Sequence, residues 1–107
     1  MVYKPYVKAA ALYQQKLLLT HGSRGEVTVA ELKVWRVPRS ETYPRGIKYS
    51  MFLVNRETGK VLVGFDNHPP KGHHLHVDGK EVPYRYRGVS RLVDDFWKHV
   101  RRKGFEL

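Results

Sequence analysis

Residues 47–65 read IKYSMFLVNRETGKVLVGF, and this stretch indicates the fold class. From Ile47 onward, every second side chain is apolar or aromatic, and this period of two predicts a β-strand. Residues 55–59, NRETG, are polar and end in glycine, which predicts a hairpin loop. Residues 61–65 alternate in the same way. The stretch therefore predicts two antiparallel strands joined by a short loop.

The sequence before this hairpin predicts a second one. Residues 7–20, VKAAALYQQKLLLT, have a composition that suits either a helix or a strand. The turn cluster that follows, HGSRG at residues 21–25, favours a strand and a hairpin. The apolar residues change phase within residues 27–34, which predicts a bulge or twist near Ala30.

The C-terminal residues predict a single helix. Ser90 is a residue type that favours the N-cap position, and Gly104 suits the position just beyond the C-terminal end. Between them, apolar residues recur at three- and four-residue spacing and form one face: Leu92, Val93, Phe96, Trp97 and Val100. We therefore predict an α+β fold, an antiparallel sheet of four to five strands with one C-terminal amphipathic helix.

Length and charge limit the protein class. A chain of 107 residues predicts a single domain, residues 1–107, and the absence of cysteine excludes a disulfide framework or a thiolate zinc site. No signal-peptide pattern and no membrane-length apolar run is present, which predicts a soluble, cytoplasmic protein. The formal charge of +10 predicts a polyanionic partner, nucleic acid or an acidic protein. An alternative is a basic surface with no such partner. The candidate nucleic-acid contacts are Arg85, Arg87, Arg91, Arg101 and Arg102.

Residues 65–84, FDNHPPKGHHLHVDGKEVPY, contain four of the six histidines and are the candidate reactive centre. One hypothesis is cleavage of RNA without a metal, in which the 2′-OH of the substrate is the nucleophile. Histidine titrates near neutrality and suits both proton transfers of that reaction. A cationic side chain stabilises the charge on the phosphate. The chain has no P-loop, dinucleotide-binding fingerprint or calcium loop, so no cofactor is expected.

Five residues receive roles under this hypothesis. His74 and His76 are two apart, so they share one face of a strand and form the acid–base pair. Lys71 stabilises the phosphate, and Asp66 orients one imidazole. Tyr84 is a supporting donor or a stacking platform. His73 points away from the pair and has a structural role.

Other hypotheses stay open at this stage. His74 and His76 with either His68 or Asp66 supply three ligands for a histidine-ligated metal hydrolase, although no established ligand spacing is present. A third hypothesis is structural: the histidines only bond backbone groups at a strand end. A non-catalytic basic module that binds nucleic acid or protein is the alternative to an enzyme. We expect no metal.

Several of these motifs together resemble the TumE-type toxin family. The similar segments are Asp66-Asn67, the run Lys71-Gly72-His73-His74 followed by His76-Val77, Pro83-Tyr84, Asp94-Asp95-Phe96, and residues 31–38. The resemblance spans about residues 8 to 100.

The resemblance implies the toxin of a type II toxin–antitoxin system, neutralised by a cognate antitoxin with a helix-turn-helix domain. It does not imply a particular reaction. RNA as the target is an analogy with other small basic toxins, and it agrees with the histidine chemistry.

Overall fold

The computed structural model describes residues 9–21 and 25–106. Within these residues the chain forms a sheet followed by a helix, which confirms the α+β class. The elements are β1 (Ala10–His21), β2 (Glu26–Arg36), β3 (Ile47–Asn55), β4 (Val61–Asp66), β5 (His74–Val77), β6 (Lys80–Pro83) and α1 (Val89–Arg102). Neighbours in sequence are neighbours in the sheet, and every pair is antiparallel.

The described sheet has six strands, so the prediction of four to five was too low. The additional hairpin joins β5 to β6 through Asp78 and Gly79, whose φ angles of 54° and 73° are both positive. This is the two-residue turn that an Asp-Gly pair favours. The residues of β6 are all exposed and lack alternation. The Asp-Gly pair was therefore the available signal for this strand.

The first hairpin forms as predicted, but its irregularity lies elsewhere. β2 pairs with β3 without interruption from Thr28 to Arg36, so the expected bulge near Ala30 is wrong. The register shift lies in β1, between Ala11 and Tyr13. Alternate residues of β2 are buried from Thr28 onward. The valines that suggested a phase change lie on the less buried face.

The core lies between the sheet and α1. Phe65 of β4 packs edge-on against Phe96 of α1, with ring centroids 6.1 Å apart. Burying one large apolar side chain of this kind contributes about 1.5–3 kcal/mol. The buried apolar residues are Ala30, Leu32, Val34, Tyr49, Met51, Leu53, Val63, Phe65, Leu92, Phe96, Val100 and Phe105.

The ends of α1 are formed by backbone rather than by side-chain caps. Gly88, with φ 105°, occupies the N-cap position, so the prediction of Ser90 was wrong. Gly104 follows the C-cap with φ 93° and donates its N–H to the carbonyl of Arg101, which confirms its predicted position. Among the described residues, no helix is long and apolar enough to cross a membrane.

Strand alternation gives the sheet two faces. Phe65 pairs with Leu75 on the face that α1 covers, the helix face. The adjacent pairs Asp66–His74 and Gly64–His76 therefore lie on the opposite face, the open face. The two predicted acid–base histidines thus share a face, as expected.

Asn67 joins the ends of β3 and β4. Its side-chain oxygen accepts the backbone N–H of Tyr49 at 2.9 Å, and its amide nitrogen donates to the carbonyl of Ile47 at 2.8 Å. Asn67 is only 5% exposed. The Asn67 amide therefore takes the place of main-chain hydrogen bonds just beyond β4. It fixes the point at which the chain leaves the sheet before the histidines.

Candidate active site

Asp66 and His74 form the most buried polar contact of the open face. Oδ1 of Asp66 lies 3.0 Å from Nε2 of His74, and the backbone N–H of His68 donates to the same oxygen at 3.0 Å. Nδ1 of His74 lies 2.8 Å from the carbonyl oxygen of Gly72. Both ring nitrogens therefore face acceptors. A neutral imidazole donates through only one nitrogen, so the cationic ring satisfies both contacts.

His76 stands beside His74 and has a more accessible ring. The two ring centroids are 4.8 Å apart, with the rings nearly perpendicular. Nδ1 of His76 lies 3.8 Å from Oε2 of Glu81, and that oxygen accepts a hydrogen bond of 2.7 Å from Nζ of Lys71. This Lys71 hydrogen bond lowers the pKa of the Glu81 carboxyl. Lys71 is thereby held next to His76.

The structure brings together four of the five residues predicted from the sequence. We call the group formed by Asp66, Lys71, His74, His76 and Glu81 the His74 cluster. Glu81 was not predicted, because it belongs to the strand that the alternation pattern missed. The sequence signal for Glu81 was the Asp78-Gly79 pair, because a two-residue turn there brings Glu81 opposite His76.

Tyr84 lies outside the His74 cluster. Its hydroxyl donates to Oδ2 of Asp95 at 2.6 Å, and its ring packs edge-on against Phe65 on the helix face. Burial, then the hydrogen bond to Asp95, raises the pKa of the Tyr84 phenol. The structure therefore places Tyr84 as an anchor between β6 and α1.

Three ligand atoms of the cluster are arranged in a way that also suits a metal ion. One atom each from Asp66, His74 and His76 lie within 4.8 Å of one another. The contact between Nδ1 of His74 and Gly72 presents Nε2 outward, as in many metal-binding histidines. The sequence left His68 or Asp66 open as third ligand, and the structure brings Asp66 to the pair, while His68 is exposed.

The open face continues from His76 with further aromatic side chains. Gly64 pairs with His76, and a Cβ built on Gly64 would lie 2.6 Å from the ring of Phe52. The Phe52 ring therefore lies across Gly64, beside His76. Further along this face stand Lys33 and Trp35. Rings and cations on an open sheet are typical of surfaces that bind single-stranded RNA.

The five arginines predicted to bind nucleic acid are all exposed. Arg85 and Arg87 alternate with half-buried tyrosines just before α1. Arg91 in the first half of the helix lies 3.4 Å from Asp95. Arg101 and Arg102 end the helix, about 15 Å further along at 1.5 Å per residue. Arg91 and Arg101 nevertheless line one depression together with Lys98, Asp94 and Asp95, so part of this basic surface runs along α1.

His73 lies in a stack of aromatic rings that the sequence did not indicate. Its ring is 4.9 Å from that of Tyr86 and nearly parallel to it, and Tyr49 stacks against both. The hydroxyl oxygen of Tyr49 lies 2.8 Å from Nδ1 of His73. Cζ of Arg45 lies over the Tyr86 ring, 5.6 Å from its centroid.

Burial controls the ionisation of this stack. It raises the pKa values of the Tyr49 and Tyr86 phenols. Burial, and then the charge of Arg45, lowers the pKa of His73. His73 is therefore neutral near pH 7, and Tyr49 is protonated.

The outer edge of the stack opens into a cavity of about 480 Å³, which we call the Tyr86 cavity. It is lined by Glu41, Thr42, Tyr43, Pro44, Arg45, Ile47, Asn67, Pro69, Pro70, Gly72, His73 and Tyr86. The available sequence signal was the alternation of tyrosine and arginine at residues 84–87, which places Tyr86 inward.

Comparison with known proteins agrees with the resemblance seen in the motifs. A family model described as Toxin TumE matches residues 8–103, nearly the whole chain and all of the His74 cluster. No curated protein and no solved structure gives a significant match.

Proposed function

Because the chain belongs to the TumE family of toxins, we propose that its toxic activity is the cleavage of RNA without a metal, on the open face. The toxin is one half of a type II toxin–antitoxin system in the cytoplasm. Its partner is a cognate antitoxin with a helix-turn-helix domain. The cluster geometry supports this chemistry, and the +10 charge supports RNA as the target.

The proposal depends on His74 and His76, two adjacent imidazoles with different surroundings. His74 has both nitrogens against acceptors, which favours its cationic form. His76 has an adjacent, more exposed ring. Asp66 and Gly72 hold the His74 ring, while the His76 ring is open to a substrate, so the two rings are placed for different proton transfers. An acid and a base in one site are what cleavage through the 2′-OH requires.

The roles follow from these contacts. His76 accepts the 2′-OH proton as the 2′ oxygen attacks phosphorus. The bond from phosphorus to the 5′ oxygen breaks, and His74 donates its Nε2 proton to that oxygen in place of Asp66. The products are a 2′,3′-cyclic phosphate and a 5′-hydroxyl. Lys71 stabilises the charge on the phosphate, and Asp66 holds His74 in place.

A defined substrate tests the proposal. We would use a DNA oligonucleotide with one ribonucleotide in the sequence that the toxin cuts in cellular RNA, and its all-deoxy counterpart as control. We expect a cut only at the ribonucleotide, with a cyclic phosphate identified by mass. His74→Ala and His76→Ala abolish the cut, whereas His68→Ala does not, because that side chain is exposed and outside the cluster.

Growth inhibition separates catalysis from occupancy. If His74→Ala and His76→Ala remain as toxic as the parent while binding RNA equally well, the toxin acts as a binding module. Sequencing of RNA ends in cells that express the toxin without its antitoxin would then show no new ends.

The ligand geometry of Asp66, His74 and His76 favours one second candidate, a metal-dependent hydrolase. A bound divalent cation would supply an activated water as nucleophile. Chelation distinguishes the two candidates. Activity that is lost in EDTA, is restored by zinc or manganese and extends to the all-deoxy substrate would establish the metal-dependent reaction. Full activity in EDTA supports the proton-transfer reaction.

A further inference from the structure

The hydrogen bond between Tyr49 and His73 fixes which ring nitrogen of His73 carries the proton. The cleavage chemistry does not use this N–H group. The Tyr49 hydroxyl is buried and has Nδ1 of His73 as its hydrogen-bond partner. A buried phenol donates its proton when an acceptor is available, so Nδ1 is the acceptor. The proton of the neutral His73 ring is then on Nε2. This N–H belongs to a residue that lines the Tyr86 cavity.

The same cavity contains a cation next to a half-buried aromatic ring. The guanidinium of Arg45 lies over the Tyr86 ring, and Tyr43 adds a second aromatic wall. A guanidinium and an imidazole N–H together bind a phosphate, and tyrosine rings stack with bases. The volume of about 480 Å³ lies within the range of small-molecule sites, roughly 300–1,000 Å³.

The loop that contains Arg45 is ordered by its own hydrogen bonds. The N–H of Val37 donates to the carbonyl of Gly46 at 2.9 Å, and the N–H of Gly46 donates to the carbonyl of Tyr43 at 2.9 Å. Gly46 has a φ of 68°, and a Cβ there would lie 2.8 Å from the Val37 oxygen. Only glycine fits this position without strain. Arg45 is therefore presented to the cavity by a preformed loop.

The cavity adjoins the His74 cluster. A second depression, of about 280 Å³, is lined by Lys71, His73, His74 and Glu81, so His73 borders both. His73 therefore lies between Lys71 and the Tyr86 cavity. We propose that the Tyr86 cavity binds one nucleotide of single-stranded RNA next to the scissile phosphate, with its base against the tyrosine rings and its phosphate on Arg45 and His73. This inference rests on the proposed function.

Binding measurements on the whole chain test the inference without requiring cleavage. The probe is a short single-stranded all-deoxy oligonucleotide of one arbitrary fixed sequence, which can be prepared whether or not the chain cuts RNA and which cannot be cut through a 2′-OH. We expect Tyr86→Ala to weaken its binding about 5- to 150-fold, the range for loss of one stacked base. Arg45→Ala removes the phosphate contact and should weaken binding more than the loss of another exposed arginine does. Arg39→Ala is the matched control, since it removes an exposed cation of the same loop that does not line the cavity. Arg39→Ala should weaken binding only as much as the loss of any one surface charge does.

Two further variants examine the geometry. His73→Gln retains an N–H donor and should bind better than His73→Ala. Tyr86→Phe retains the ring and should bind nearly as well as the parent. Arg45 is exposed, so Arg45→Ala tests the inference even if Tyr86→Ala fails to fold.

Distinct results contradict the inference and the proposed function. The inference is overturned if Arg45→Ala binds as well as Arg39→Ala, or if a duplex of the same sequence binds as tightly as the single strand. A chain that binds the oligonucleotide through Arg45 but never cuts RNA supports the cavity as a nucleotide site and overturns the cleavage reaction.

Discussion

Asp66 and His74 face each other across the β4–β5 pair, with 3.0 Å between the carboxylate oxygen and Nε2 of the imidazole. The register of the sheet sets this contact, because the two residues are direct cross-strand partners. The carboxylate is fixed in turn by the backbone N–H of His68. Orientation of the imidazole is therefore built into the sheet.

The first prediction concerns the division of roles within this contact. His74→Ala and His76→Ala should each lower the cleavage rate by about 10²–10⁴, the usual contribution of a positioned acid or base. Asp66→Asn should cost less, because an amide still bonds to the ring although it no longer stabilises its charge. Single-turnover cleavage gives the rates. Equal losses for Asp66→Asn and His74→Ala would show that Asp66 does more than orient the ring.

The second prediction concerns Lys71, which is held by Glu81 in an exposed ion pair. Exposed ion pairs contribute little to stability, so Lys71→Ala should leave the melting temperature nearly unchanged. Its cleavage rate should fall by about 10²-fold or more, because a preorganised charge at the phosphate is lost. Lys71→Arg should retain part of the rate. A loss of melting temperature in step with activity would indicate a structural role instead.

The third prediction concerns the pKa of His73, which burial lowers below its ordinary value of 6.5, with a further contribution from Arg45. Below about pH 6.5 the unfolded chain therefore binds a proton that the folded chain resists. The contribution of His73 to the free energy of unfolding is complete above that pH and decreases as the pH falls.

Arg45→Ala should raise the pKa of His73 toward 6.5 without reaching it, because burial is the larger cause. The imidazole resonances of His73, followed by NMR from pH 8 to 5, give this value directly. Arg39→Ala is the control and should leave it in place. An unchanged pKa in Arg45→Ala would contradict the position of the guanidinium over the Tyr86 ring.

The fourth prediction concerns the buried amide of Asn67. Asn67→Ala removes partners from the Tyr49 N–H and the Ile47 carbonyl, at a cost of about 1–3 kcal/mol for each group. Asn67→Asp keeps the acceptor but places a buried carboxylate against the Ile47 carbonyl, so at pH 7 its free energy of unfolding should fall at least as far as that of the alanine variant. Denaturant unfolding measures the series. Full stability of Asn67→Ala would mean that water replaces both bonds.

The fifth prediction concerns the exposed arginines at the two ends of α1. The affinity for single-stranded RNA should fall with salt, with a log–log slope of about −0.7 for each phosphate neutralised. Alanine at one contacting arginine should reduce that slope by about 0.7. The variants Arg85→Ala and Arg102→Ala test the two ends separately. Affinity that does not depend on salt would exclude the basic surface as the RNA contact.

Much of the fold was visible in local patterns. The alternation at residues 47–65 predicted the β3–β4 hairpin, and the three- and four-residue spacing after Ser90 predicted α1. Strand β6 was not predicted, because its side chains are all exposed and show no apolar alternation. The N-cap was misplaced because Gly88 begins the helix through its backbone conformation and not through a side chain.

The reactive stretch was only partly predictable. Spacing placed His74 and His76 on one face, because alternation is a local property of a strand. Asp66 was predicted as a partner of one imidazole from its chemistry, but only the strand register places Asp66 opposite His74 and Glu81 opposite His76. Tyr84 was grouped with the histidines for its nearness in sequence, and the structure turns it toward Asp95.

The sequence by itself thus determined which reactive residues are present and how apolar residues are spaced in each strand and helix. That spacing depends only on near neighbours in the chain. The family was recognisable from the same motifs. Only the tertiary structure decided which groups meet. Pairing of β5 with β4 and β6 brings Asp66 and Glu81 to the histidines. Packing of the loop at residues 37–46 brings Arg45 to the rings of Tyr86 and His73. Arg45 is far from His73 and Tyr86 in sequence, so no local periodicity encodes its contacts.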